Sequence, residues 1–371
     1  MNRSETHKSK RQGKTSGKEK AVLAVAAVLV LICVIVYGIK FYAGDQGNGR
    51  GKDKEPMAPV ELSAWLVDWQ WQTGLEDLQA IYPSLNSLQV FAAYFDHTDS
   101  LYFTEAFNQA QPLISETRSQ MGAAKRYLTL VNDRYDQNGK AVQKDSALIT
   151  RLMSTTESRK RHIDEILARA DTDGYDGIEI DYEKIADDDW EQVLLFYAEL
   201  YQRLDVIGKS LRIVLEPRTP INKLSLPEGP SYVMMAYNLY GTHSGPGPKA
   251  DHAFIAELAD RMDPIPGEPY IAFALGGFEW NKDGKAAALT EKQAAELSQK
   301  SLDSPQRDTA SGSVRFSYMA EDKSKHTVWY ADDITLAGWI ETARQAGYSN
   351  IALWRLGGMQ DGMLEYLKRL E

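Results

Sequence analysis

The chain has 371 residues, of which 43% are hydrophobic and 25% charged, a composition that supports a large folded core and excludes long disorder as the general state. The formal net charge is −10, and because residues 1–20 hold seven Lys or Arg against two Glu (a net of +5), the remainder carries −15. So acidic a body excludes nucleic acid as the expected partner, because phosphate binding needs a positive surface.

The N-terminal region predicts a membrane anchor at residues 21–43, after a basic tail at 1–20. An almost unbroken run of Ala, Val, Leu and Ile starts at Ala21 and has about the length that spans a bilayer. A cleaved signal peptide is the alternative, although its apolar region is typically shorter. We expect the basic tail to stay in the cytoplasm and all that follows the anchor to lie outside, at the cell membrane. Cys33, the only cysteine, lies within the run, so no disulfide can form within the chain.

The rest of the chain predicts a linker and one barrel. Residues 44–60 are rich in Gly, Pro and charge, which is typical of a flexible linker. From 61 to 371, short apolar runs alternate with helix-like stretches, as in a parallel sheet covered by helices. The predicted strands are Leu62–Val67, Leu88–Tyr94, Arg126–Val131, Gly177–Tyr182, Leu211–Glu216, Tyr232–Tyr237, Tyr270–Leu275 and Asn350–Arg355. The predicted helices include Ser146–Ala170, Asp188–Ile207, His252–Met262 and Asp333–Ala346.

Eight such units favour an α/β fold, a (β/α)8 TIM barrel, with a doubly wound open sheet as the alternative. Residues 281–331 are too long for one loop and helix and contain two strand-like runs. They predict a small α+β insertion after the seventh strand.

The fourth predicted strand, Gly177–Tyr182, and the residue after it carry three carboxylates. Glu179, Asp181 and Glu183 are two residues apart and therefore share one face, while the isoleucines between them point the other way. We expect the acids to face the barrel interior, with Glu183 at the C-terminal mouth where barrel active sites lie. Crowding and burial raise the pKa of at least one of them, which keeps a proton available for a general acid.

Other interpretations of this segment fit less well. A solvated acidic face is disfavoured by the flanking isoleucines and aromatic residues. A calcium loop starting at Asp171 fails because its sixth position is Asp176 rather than Gly and its twelfth is Tyr182 rather than Glu. The sequence shows no cysteine or histidine spacing that would hold a metal, and we expect neither metal nor cofactor.

The segment also resembles the signature of glycoside hydrolase family 18, the chitinase family, which reads Asp-Gly-x-Asp-x-Asp-x-Glu. Asp176, Gly177, Asp181 and Glu183 match it, whereas Glu179 stands where the family usually has Asp.

Three further segments extend the resemblance. Met235-Ala-Tyr-Asn238 is similar to the family's Met-x-Tyr-Asp at the end of strand six, with Asn in place of Asp. Ile351–Gly357 is similar to strand eight, where a Trp floors the sugar site, and 64–71 looks like the first strand of bacterial members that act on cell-wall or spore polysaccharides.

The resemblance implies hydrolysis of β-linked N-acetylglucosamine polymers, peptidoglycan or chitin-like, by a substrate-assisted retaining mechanism. The substrate's own N-acetyl carbonyl would attack the anomeric carbon, while Glu183 protonates the leaving oxygen and later activates water. Asp181 would hydrogen-bond the acetamido N–H, Tyr237 would bind the acetamido oxygen, and Trp354 would stack on the sugar. The predicted catalytic residues are Glu183, Asp181, Glu179 and Tyr237, and the predicted substrate-binding residues are Asp176, Met235, Asn238 and Trp354.

The expected partners are therefore a polysaccharide with 2-acetamido sugars and, through the anchor, a membrane. The alternative function is a non-catalytic, lectin-like barrel at the cell surface. It is disfavoured because such relatives have typically lost the acid that Glu183 supplies here.

Overall fold

Eight short apolar segments pair side by side as parallel strands in the computed structural model, which describes residues 58–370. In chain order they are β1 (Glu61–Val67), β2 (Ser87–Phe95), β3 (Lys125–Tyr135), β4 (Gly177–Asp181), β5 (Ser210–Leu215), β6 (Ser231–Met235), β7 (Tyr270–Ala274) and β8 (Asn350–Trp354). Each strand pairs with the next along the chain, and β8 pairs back onto β1, so the sheet closes. The predicted eight-stranded parallel barrel is confirmed, and the alternative open sheet is wrong.

Helices follow most of the strands. They are α1 (Trp71–Ile81), α2 (Glu105–Glu116), α3 (Ser146–Met153), α4 (Thr156–Thr172), α5 (Trp190–Val206), α6 (His252–Met262), α7 (Glu291–Ser298), α8 (Asp333–Gln345) and α9 (Asp361–Lys368). The single helix predicted across Ser146–Ala170 is thus two helices. Thr155 explains the break, because its hydroxyl accepts from Ser158 N–H at 3.0 Å while Ser158 Oγ accepts from Thr155 N–H at 3.1 Å. This reciprocal cap starts α4 afresh.

The connection between β5 and β6 departs from the βα pattern. Residues 216–230 hold one short 3-10 turn, Ile221–Lys223, and no α-helix. Four prolines in this stretch account for the difference, because proline lacks the N–H that a helix interior needs.

Alternation along the strands separates two buried layers. In β4, Ile178 and Ile180 are fully buried in the core that packs beneath the helices. The opposite face of the strands fills the barrel interior, where Val214, Val233 and Ala272 pack together. The interior is therefore packed with side chains, and open space for a ligand has to lie at the mouth.

An insertion follows β7, as expected, but begins earlier than residue 281. Residues 276–331 form a five-stranded antiparallel sheet together with α7. Its strands are Gly276–Trp280, Ala286–Leu289, Gln306–Arg307, Val314–Met319 and Lys325–Ala331. The chain turns at Gly276, whose φ of +63° few other residues tolerate. A Cβ at Gly277 would lie 2.0 Å from the carbonyl oxygen of Trp329, so this position also requires glycine.

The predicted membrane anchor at residues 21–43 and the basic tail at 1–20 lie outside the described residues, as does nearly all of the linker at 44–60. Within 58–370, no helix combines the length and the apolar character that crossing a membrane requires. The anchor therefore stays a prediction.

Candidate active site

Glu183 lies just beyond the C-terminal end of β4, at the barrel mouth, and is buried. Asn132 on β3 holds its backbone from both sides: Glu183 N–H donates to Asn132 Oδ1 at 2.9 Å, and Asn132 Nδ2 donates to Glu183 O at 2.9 Å. This clamp fixes the position from which the carboxyl group projects, as a catalytic acid requires.

Two neighbouring side chains act on the proton affinity of Glu183. Lys144 Nζ forms an ion pair with Glu183 Oε2, and the carboxyl group of Glu216, just after β5, is the second group that acts on Glu183. Burial raises the pKa of Glu183, Lys144 lowers it and Glu216 raises it, and the net effect is a pKa above the ordinary value. Glu183 therefore keeps a proton to higher pH than an exposed glutamate, which suits a general acid.

Asp181, two residues earlier, is the least satisfied group of the site. It is buried, and its Oδ1 has no hydrogen-bond partner among the described residues. Burial, together with the charges of Glu183 and Glu179, raises the pKa of Asp181 well above its ordinary value. A buried acceptor without a partner is costly, so this oxygen is placed to receive a donor that a ligand brings.

Glu179 lies two residues before Asp181 on β4, deeper in the barrel, and both of its carboxylate oxygens have partners. It accepts hydrogen bonds from Trp65 Nε1 at 2.6 Å and Thr129 Oγ1 at 2.7 Å, and it pairs with Arg212 Nε at 2.9 Å. The structure thus places Glu179 beneath the mouth, where its charge contributes to the raised pKa of Asp181.

Asp176 is not part of the mouth, and its predicted substrate-binding role is corrected. It precedes β4 and therefore lies at the opposite end of the strand from Glu183, roughly 20 Å away at about 3.3 Å per residue. Its carboxylate accepts hydrogen bonds from Arg118 Nη1 and Nη2, both at 2.8 Å, and from Arg126 N–H at 2.8 Å. These contacts make Asp176 a structural residue that ties the base of β4 to its surroundings.

The end of β6 supplies the next group of predicted residues. Tyr237 is buried, and burial followed by the charges of Asp181 and Glu183 holds the pKa of its hydroxyl well above the ordinary value, so it remains a donor. Met235 packs beside Tyr237 in the barrel interior. Asn238 is exposed and has a φ of +67°, a conformation that asparagine adopts more readily than most residues.

Trp354 ends β8 and belongs to an aromatic cluster at the mouth. Its ring centroid lies 5.0 Å from that of Phe91, 5.8 Å from that of Trp65 and 6.4 Å from that of Trp69. Trp69 is 53% exposed. Exposed and half-buried aromatic rings offer apolar faces on which a sugar ring can stack.

A cavity of about 370 Å³ opens beside Trp354, between the ends of β6 to β8 and the insertion. This volume is within the range of small-molecule sites. Its polar and aromatic lining residues include Gln70, Tyr237, Asn238, Lys249, Phe278, Glu291, Trp354 and Arg355. Within residues 58–370, no group of three or more His, Cys, Asp or Glu is placed to hold a metal ion.

Sequence reasoning missed three residues of the site: Lys144, Asn132 and Glu216. Glu216 could have been predicted, because it is the last residue of the predicted strand Leu211–Glu216 and the strands end at the mouth. Asn132 follows the predicted strand 126–131 directly and could have been predicted in the same way. Lys144 could not, because the hairpin of β3 with Ala141–Val142 brings it across the mouth from 39 residues away.

Sequence comparison with known proteins supports a glycoside hydrolase. The sequence pattern of the family described as Glycosyl hydrolases family 18 matches residues 138–358, more than half of the 371 residues. The uncharacterized glycosylase YvbX of Bacillus subtilis is 24% identical over 240 residues, which cover 61% of this chain and 70% of that protein.

Solved structures show the same fold. The spore cortex-lytic enzyme SleL of Bacillus cereus matches with a TM-score of 0.72 at 19% identity, covering 85% of this chain and 75% of that one. A chitinase from Chromobacterium violaceum matches with a TM-score of 0.70 at 18% identity, covering 84% and 98%. At such low identity these likenesses establish the fold, and the family match carries the chemistry.

Proposed function

The chain belongs to family 18 of the glycosyl hydrolases, and from that premise we propose that it hydrolyses β-glycosidic bonds in polysaccharides that contain N-acetylglucosamine, either peptidoglycan or a chitin-like polymer. The observation that carries the proposal is the pairing of a buried acid of raised pKa, Glu183, with the unpartnered buried acceptor of Asp181. The first suits protonation of a leaving oxygen, and the second suits the N–H of an acetamido group.

The proposed reaction is substrate-assisted. The acetamido carbonyl oxygen of the substrate attacks the anomeric carbon as the glycosidic C–O bond breaks, and Glu183 gives its proton to the departing oxygen. The resulting oxazolinium ion is stabilised by Asp181, which accepts from the acetamido N–H, while the Tyr237 hydroxyl donates to the acetamido oxygen. Glu183, now a carboxylate, removes a proton from water as this water attacks the anomeric carbon and the bond from that carbon to the acetamido oxygen breaks. The acetamido group and the acid are regenerated, and two successive inversions leave the product with the original anomeric configuration.

Lys144 fits this cycle as a partner of the ionised acid. Its ammonium group pairs with Glu183 in the free protein and is available to stabilise the carboxylate that remains after proton transfer. Burial lowers the pKa of Lys144, but the charge and hydrogen bond of Glu183, together with the charges of Asp181 and Glu216, outweigh burial. The net shift of this pKa is upward and favours the ammonium form.

The names of the similar proteins support the choice of polymer. They include a glycosylase, a spore cortex-lytic enzyme and a chitinase. We also propose, from the apolar run at residues 21–43 alone, that the barrel is held on the outer face of the cell membrane, where an envelope polysaccharide would be within reach.

The test is hydrolysis by the purified full chain. Release of reducing ends from chitooligosaccharides and from peptidoglycan is measured for the wild type, for Glu183→Gln and for a control, Glu157→Gln, at an exposed position on α4. We expect Glu183→Gln to lower kcat by about 10³-fold, as the loss of a general acid does, and Glu157→Gln to leave it unchanged.

Activity that survives Glu183→Gln would remove that residue from its role. Binding of these glycans without turnover by the wild type would instead favour the lectin-like alternative.

A further inference from the structure

Two cationic side chains line the cavity beside Trp354, although the body of the protein is acidic. Arg355 follows β8, and its Nη1 is buried without a hydrogen-bond partner among the described residues. Its guanidinium carbon lies 5.4 Å from the centre of the Trp69 ring. Lys249 Nζ donates to the carbonyl oxygen of Leu275 at 2.6 Å, which leaves two of its three N–H groups for other acceptors.

Neither cation is neutralised by the cavity wall. The only carboxyl group among the lining residues is that of Glu291, which accepts from Gln360 N–H at 3.0 Å. Burial raises the pKa of Glu291 to about 8, so this group is mostly uncharged at neutral pH. The cavity wall therefore offers Arg355 and Lys249 little negative charge, in contrast with the carboxylates around Glu183.

Burial also disfavours the charged form of both cations. Burial, followed by the charge of Arg355, lowers the pKa of Lys249 to about 7, and burial lowers the pKa of Arg355. Cations held in this way, with unused donors, are stabilised by an anion that enters the cavity. A carboxylate suits the guanidinium best, because its two oxygens match two parallel N–H groups.

We propose that this cavity is a carboxylate-binding site through which the enzyme favours glycans whose sugars carry a carboxyl group over neutral N-acetylglucosamine polymers. The proposal rests on the proposed function and narrows its substrate class. The cavity shares Tyr237 and Trp354 with the catalytic site, so the carboxylate belongs to a sugar at or beside the cleaved bond. The lactyl ether of a muramic acid residue that carries no stem peptide supplies such a group in peptidoglycan, whereas chitin has none.

Two substrates that differ in the charge of the carboxyl group and by one methyl group provide the test. Peptide-free strands of alternating N-acetylglucosamine and N-acetylmuramic acid are compared with the same strands after methyl esterification of the carboxyl groups. We expect wild-type kcat/KM to be about tenfold higher or more on the free acid, the size of a lost charge-assisted hydrogen bond. Arg355→Gln should bring this ratio close to one, and Lys249→Gln should reduce it in part.

The matched control is Lys285→Gln, which removes the same charge from an exposed position in the insertion outside the cavity lining and should keep the wild-type ratio. Thermal unfolding of each variant confirms that it folds, and Lys249→Gln carries the test if Arg355→Gln does not. Equal kcat/KM on acid and ester in the wild type, or a ratio that neither cavity variant changes, would overturn the proposal.

Binding separates this inference from the function on which it rests. Calorimetric titration of Glu183→Gln with acid and ester strands measures the preference without turnover. If the wild type cleaves neither strand, the proposed function fails. The Kd ratio still decides the inference: a ratio near one refutes it, and a preference for the acid that is lost on adding Arg355→Gln supports it.

Discussion

The single strand β4 presents its carboxylates in two different settings. Glu179, in the barrel interior, is completely buried and is matched by Trp65, Thr129 and Arg212. Asp181, on the same face and two residues nearer the mouth, is also buried, yet its Oδ1 has no partner among the described residues. The strand repeat fixes the shared face, and depth in the barrel decides how well each charge is compensated.

This difference indicates which acids serve the fold and which serve the reaction. A buried charge whose hydrogen bonds are all made stabilises one arrangement of the side chains around it. A buried acid that lacks a partner lowers the stability of the free protein, and it is retained where a ligand completes it. We therefore expect the interior layer to serve the fold and the layer above it, the functional layer, to serve the proposed reaction.

Breaking the interior pair should have the largest effect on stability. Arg212→Met leaves the Glu179 carboxylate buried without its cation, and we expect the free energy of unfolding to fall by about 3–5 kcal/mol. Urea unfolding at pH 7 measures the change.

An exposed ion pair provides the control for Arg212→Met. Arg203 and Asp164 form a pair at 2.5 Å in which both side chains are more than 40% exposed. Arg203→Met should lower the free energy of unfolding by less than about 1 kcal/mol. Similar losses in the two variants would mean that the interior pair is no more structural than a surface contact.

Removing the charge of Asp181 should lower activity while raising stability. Asp181→Asn removes a charge that the reaction needs to stabilise the oxazolinium ion, and we expect kcat to fall by about 10²-fold, the usual size of one lost electrostatic contact in the transition state. The melting temperature at pH 7 should rise by about 2 °C or more, which corresponds to roughly 1 kcal/mol in a large domain.

The sign of the stability change follows from the pKa of Asp181. Because this pKa is raised in the folded state, the wild type loses stability as pH rises above the ordinary aspartate pKa and up to the folded pKa. The gain of Asp181→Asn should therefore be greatest near neutral pH and disappear near pH 3, where the wild-type group is protonated in both states. An asparagine variant that melts below the wild type at pH 7 would contradict the assignment of Asp181 as an uncompensated acid.

Much of this comparison was readable in the sequence. Apolar runs separated by helix-like stretches located all eight barrel strands, and alternation placed Glu179, Asp181 and Glu183 on one inward face. The same alternation also predicts that Asp176, although part of the family signature, does not lie with these acids. Asp176 has the parity of Ile178, and it stands at the start of the strand, so both its face and its end of the barrel differ from those of the acids.

What the sequence could not supply is the partner of each charge. Lys144 reaches Glu183 across 39 residues through a hairpin, and Arg212 reaches Glu179 across 33. Such pairs depend on strand register and loop conformation, which hydrophobic periodicity does not encode. The cations of the cavity had no signal either, because Lys249 and Arg355 meet only when the barrel closes.

The smallest expected effect concerns the pH profile and refines the functional layer. Lys144 lowers the pKa of Glu183, so Lys144→Met should raise this pKa further and move the alkaline limb of kcat/KM to higher pH. At acidic pH, Glu183 is protonated in both proteins, and Lys144 acts only on the carboxylate that forms when the proton is transferred. Because a partly exposed ion pair is weak, kcat/KM should then change by less than about fivefold. The control is Lys140→Met in the exposed hairpin turn, which should leave the limb in place. A limb that moves to lower pH, or not at all, would show that Lys144 does not lower the pKa of the acid that titrates.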